Sequence, residues 1–111
     1  MTAELALALP AVVLLIAVVF AAARVVTAQV QCVDAARAGA RVAARGEAPG
    51  VVIATATQVG PAGARVQLAT AASTVTVGVS ATVHLPLPGS PALAVSSTAS
   101  APREPGAGGL P

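Results

Sequence analysis

From Leu5 to Ala23 the chain reads LALALPAVVLLIAVVFAAA, an uncharged apolar run with Glu4 at its head and Arg24 at its foot. At ~1.5 Å of rise per residue, a helix of this length comes close to the ~30 Å hydrocarbon core of a bilayer. No other stretch constrains the fold as strongly, because a segment this greasy must be buried in lipid or against other helices. Thr2 stands as its N-cap, and Glu4 falls in the first turn, where the helix dipole favours an anion. Pro10 lies inside the run and removes the hydrogen bond to the Ala6 carbonyl, a loss that membrane helices tolerate where neighbours cover the gap.

A cleaved secretory signal is the competing reading of the same residues. Such signals carry a basic n-region and an apolar core of ~7–15 residues. Here the n-region has no positive charge and the core is too long, although Ala21-Ala22-Ala23 has the small side chains of a cleavage site. A retained anchor spanning residues 5–23 is the expectation.

The helical pattern continues past Arg24. Residues 25–45 contain no proline, and their one glycine, Gly39, is tolerable in a helix at a cost of ~1 kcal/mol. At 100° per residue, Asp34, Arg37, Arg41 and Arg45 share a narrow arc, with Val25, Cys32, Ala36 and Ala43 opposite. The extension, residues 24–45, is therefore amphipathic, with a basic stripe and a small-residue face. Arg37, Arg41 and Arg45 are either a solvated face or an interaction stripe for anionic lipid headgroups or an acidic partner. The stripe begins roughly 20 Å beyond the membrane edge by helix rise.

Gly46-Glu47-Ala48-Pro49-Gly50 breaks the rod. Val51–Val59 mixes β-branched residues with helical spacing at Val52, Ala56 and Val59, and Pro49 before it and Gly60 after it predict a short second helix within residues 47–63. Beyond Gly63 the period becomes two. Val66 and Leu68 alternate with Arg65 and Gln67, and strict alternation from Thr74 to Leu85 puts Val75, Val77, Val79, Ala81, Val83 and Leu85 on one face. The short Ala71-Ala72-Ser73 link predicts a hairpin, and Ala92–Ser100 a third, weaker strand after a proline-rich connection over residues 86–91. The sheet domain is expected over residues 64–100, followed by a disordered tail at 101–111, rich in Pro and Gly.

The residue inventory argues against catalysis. Four carboxylates are scattered between Glu4 and Glu104, and there is one histidine, one cysteine, no glycine-rich phosphate loop and no ligand spacing for a metal. No enzyme activity, cofactor or metal is expected. His84 reads as a solvated surface residue, and Cys32 as a small buried hydrophobe or, less simply, half of an interchain disulfide. The basic balance comes from six arginines, with no Tyr or Trp on which a base could stack, so nucleic acid is not an expected partner. Glu4 has two readings. It sits at the headgroup level, or it is carried into a helix-packed core, where the free amino terminus of a neighbouring copy would neutralise it and set the register between subunits.

Two stretches, TAELALALPAVVLL at Thr2–Leu15 and QVQCVDAARAGARVAARG at Gln29–Gly46, together with the order of elements after them, resemble the TadE-like minor pilins of the tight-adherence type IV pilus of high-GC Gram-positive bacteria. The resemblance implies an α+β, pilin-like fold: a long N-terminal transmembrane and amphipathic helix, a short second helix and a small three-stranded antiparallel sheet. It implies a structural minor pilin or pilus-assembly component, with other pilin subunits, pilus-assembly membrane proteins and the lipid bilayer as partners. A prepilin peptidase joins them if a leader precedes Met1, and Glu4 would match the family's acidic residue near the mature N-terminus. The C-terminal part would then be extracytoplasmic, at the pilus or cell surface, whereas the arginines of this chain taken alone favour the opposite orientation. The alternatives are a single-span anchor subunit of another complex that never polymerises, and a small secreted protein released by signal peptidase.

Overall fold

The structure, a computed structural model, describes residues 2–85, 89 and 91–102. One helix organises it. Helix α1 (Thr2–Ala44) runs for 43 residues through Pro10 without interruption. Glu4 in its first turn and Arg41 in its last both oppose the helix dipole. It ends at Gly46, whose φ of 82° lies in the left-handed region that a residue with a Cβ avoids, and whose N–H donates to the Ala43 carbonyl at 3.0 Å.

Helix α2 (Pro49–Val59) starts with proline in its first turn, where the missing N–H costs nothing, and the Ala48 carbonyl accepts from Val51 and Val52 at 3.0 and 3.2 Å. The helical reading of Val51–Val59 is correct because two of its spaced residues find burial: Val52 and Ala56 are 2 % and 0 % exposed. Val59, the third, stays exposed.

Three strands follow, β1 (Arg65–Thr70), β2 (Thr74–Val83) and β3 (Leu93–Pro102), in the antiparallel order β1-β2-β3. The predicted hairpin is present, with Thr70 opposite Val75 and the turn closed by the Ala71 N–H on the Thr74 carbonyl at 2.7 Å. The period-two pattern becomes one buried face: Val75, Val77, Val79, Ala81 and Val83, flanked by Val66 and Leu68 on β1 and by Val95, Ala99 and Ala101 on β3. The other face is small and hydroxylated, and Thr76 Oγ1 and Ser100 Oγ lie 3.0 Å apart across it.

Two boundaries differ from expectation. Strand β2 stops at Val83, because its last partner is Leu93, leaving His84 and Leu85 outside the ladder. Strand β3 runs through Ala101 and Pro102 instead of ending at Ser100, so the expected tail at 101–111 begins too early. Ala101 pairs with Val75 and is buried, and Pro102 closes an edge strand where its missing N–H is no loss. The rest of that tail, 103–111, and most of the 86–91 connection lie outside the described residues.

The buried face lies against the outer half of α1, where Cys32, Ala35, Ala36, Gly39, Ala40 and Ala43 form the helix side of the core. Small side chains allow the close approach. A Cβ built on Gly39 would sit 2.9 Å from Val77 Cγ1 and 3.4 Å from Ala56 Cβ, so this glycine is where α1, α2 and β2 meet. Helix and head together measure 79 × 19 × 17 Å.

Candidate functional site

Among the described residues, α1 is left uncovered by its own chain up to Ala21, the first buried position of the helix. Its most apolar 18-residue window has a mean hydropathy of 2.9 and is only 6 % buried. Consecutive residues Val12, Val13, Leu14, Leu15 and Ile16 are all at least half exposed. At 100° per step they point around the whole circumference, so the cover they need must surround the helix instead of touching one stripe. Lipid or a sheath of other helices provides that. A core position in this chain's own domain does not.

Glu4 and Pro10 both lie on this uncovered segment and are exposed. Glu4 shares a shallow depression of about 380 Å³ with Thr2, Leu5 and Ala8. The Pro10 ring leaves the Ala6 carbonyl without its i+4 donor, so the backbone here has an acceptor to offer.

The predicted stripe lies far away. Arg37 is ~50 Å along the helix axis from Glu4, so the two sets of residues do not form one site. Arg37 and Arg41 are exposed and flank a groove of about 280 Å³ between α1 and the end of β3, with Ala40, Ala44 and Ala99–Pro102 as the rest of its lining. Arg45 is exposed in the turn after α1 and does not line that groove. Cys32 is 0 % exposed and unpaired, and burial pushes its thiol pKa up, so the sulfur is a core atom out of reach of a second chain. His84 is exposed, as expected. Among the described residues, no three His, Cys, Asp or Glu side chains come together as a metal site.

Three features escaped the sequence reading. Gln29 Nε2 donates to the Ser96 carbonyl at 2.9 Å, tying α1 to β3. Gly39 acts in packing, which its helix propensity does not disclose. Arg24, Arg65 and His84 lie around one end of the folded region, a grouping that only the strand register reveals.

The family described as TadE-like protein matches residues 1–41, a span that takes in the whole apolar run, Glu4, Pro10, Arg37 and Arg41. No curated protein and no solved structure matches the chain. The match suggests an association with the Tad pilus, and the one helix among the described residues that is long and apolar enough to cross a membrane fits a single-pass membrane protein. Over its first 41 residues, the chain is similar to the TadE-like family.

Proposed function

We propose that this protein is a structural minor pilin or pilus-assembly component of a TadE-like type IV pilus, acting by helix packing in the membrane and in the filament and not by catalysis. One observation carries the reading. A single continuous helix is divided in use, its outer half consumed by the protein's own core and its inner half bare on every side. Such a rod is stored in a bilayer and then surrounded by equivalent rods, and the TadE-like match takes in that segment together with most of the outer half.

In this scheme Glu4 pairs with the free amino terminus of a neighbouring subunit. A buried carboxylate left without a cation costs several kcal/mol, so the pairing fixes the axial register. Arg37, Arg41 and Arg45 face outward, above the membrane, toward an acidic strip on a neighbouring subunit. The folded part lies on the extracytoplasmic side.

The test is fractionation of cells expressing the protein. Recovery in sheared filaments, or loss of filaments on deletion, supports the reading, whereas recovery in membranes alone with filaments unaffected supports the anchor that never polymerises. A mature N-terminus just after Ala23 or Ala28 would instead mean release by signal peptidase. Glu4→Ala sharpens the test: membrane insertion should survive while filament incorporation falls, and unchanged incorporation removes the register role.

A further inference from the structure

Strand β2 runs antiparallel to α1. Val77 sits against Gly39, while Thr82 and Val83 share a cavity with Phe20, Arg24, Thr27 and Gln31. The end of the folded region nearest the apolar run is therefore the end of β2, the start of β1 and the Pro61-Ala62 loop. Two cavities adjoin there, sharing Ala62 and Thr82. The first, about 380 Å³, holds Arg24, and the second, about 540 Å³, holds Arg65 and His84. Both volumes suit a small-molecule group, within the usual ~300–1,000 Å³. Among the described residues, no carboxylate lines either one.

The chemistry changes along the first cavity in the direction of the helix. Phe20 and Ala23 form its apolar lip inside the run, Arg24 follows at once, and Thr27, Gln31 and Thr82 supply hydroxyl and amide groups beyond it. With Leu5–Ala23 across the bilayer, Arg24 stands at the level of the headgroup phosphates. A guanidinium offers a planar fork of donors that matches a phosphate, and the neighbouring hydroxyls add further donors. The stripe at Arg37 and Arg41 is too far from the bilayer to do this.

We propose that the two adjoining cavities hold the headgroup of an anionic phospholipid of the phosphatidylglycerol type, with Arg24 on its phosphate and Arg65 supplying the second positive charge. The proposal rests on α1 spanning the membrane. It assigns Arg24 and Arg65 a role separate from filament packing, seating the head on the bilayer surface before any assembly.

The test uses the full chain in nanodiscs of mixed phosphatidylcholine and phosphatidylglycerol, with retained lipid read by native mass spectrometry. Wild type should retain phosphatidylglycerol in preference to phosphatidylcholine. At about fivefold per basic residue near an anionic surface, Arg24→Gln should weaken that preference about fivefold, and Arg24→Gln with Arg65→Gln roughly 25-fold. Arg24→Lys should keep part of it, since charge remains and the fork is lost. Both positions are exposed, and circular dichroism of each variant confirms the fold. Equal retention of the two lipids by wild type, or an undiminished preference in the double variant, overturns the proposal. Inorganic phosphate that displaces phosphatidylglycerol from the protein in detergent as readily as added lipid does would assign the site to a free phosphate instead. Failure of wild type to enter the bilayer at all would sink the membrane reading and this one with it.

Discussion

Replacing Gly39 by alanine sets two effects of similar size against each other. In a helix interior, alanine is favoured over glycine by ~1 kcal/mol, so the substitution gains that much from local propensity. Against it stands the geometry: the new Cβ would lie 2.9 Å from Val77 Cγ1, 3.4 Å from Ala56 Cβ and 3.5 Å from Val77 Cγ2. Val77 is 0 % exposed and β-branched, so it has neither space nor a spare rotamer to move into. Overpacking of this kind costs ~1–3 kcal/mol. Gly50→Ala in the first turn of α2 is the uncrowded comparison, because a Cβ there meets nothing within 4 Å and the propensity gain, smaller than in a helix interior, is not opposed by packing. Gly39→Ala should therefore be less stable than Gly50→Ala by ~1–3 kcal/mol, even where it differs little from wild type. In a region of this size, each kcal/mol moves the melting midpoint by roughly 4–8 °C. The assay is thermal unfolding of the full chain in detergent, followed by loss of the β-sheet signal. In a Val77→Ala background, the space vacated by two methyl groups should absorb the added Cβ, and the penalty of Gly39→Ala should vanish. A Gly39→Ala protein as stable as Gly50→Ala would refute the close contact between α1 and β2 and the packing built upon it.

The buried Cys32 thiol should resist maleimide in the folded protein and react only as fast as the domain opens, so rapid labelling under native conditions, read by mass, would contradict its burial. Since burial raises the thiol pKa in the folded state, this group's contribution to stability is complete below the ordinary thiol value. It declines as pH rises past that value, and Cys32→Ala should flatten that alkaline decline. Gln29→Ala removes the donor to the Ser96 carbonyl and should cost ~0.5–1.5 kcal/mol, with faster hydrogen exchange along β3 as its signature. Glu4→Ala should separate membrane insertion from filament incorporation, and the lipid preference of the Arg24 and Arg65 variants should change without altering the fold.

Periodicity made most of this architecture readable in advance. The apolar run is continuous, so its need for an external cover required no structure, and strict alternation over Thr74–Val83 determined which side of β2 faces inward. The arc of Cys32, Ala36 and Ala43 was visible because a helix fixes its own angular spacing, and these residues are buried as that arc implies. Contacts between elements were not legible. Nothing local distinguishes a glycine tolerated in a helix from one that a valine on another element requires, as at Gly39. Arg24 and Arg65 are likewise unrelated until the turn of the chain through β1 and β2 places both beside Thr82. The extent of β3 depended on β2 offering partners as far as Thr74, which outweighed the weak strand character of Ala101-Pro102.

Because the apolar segment and the segment that carries the head are one unbroken helix, there is no hinge between them. Height and azimuth of the head are then coupled to the helix like the flag on a screw. Deleting one residue between Arg24 and Ala28 would lower the head by only ~1.5 Å but swing it by ~100° about the axis. The face of the sheet offered to the surroundings is thus decided by the count of residues inside the helix as much as by the residues of the sheet.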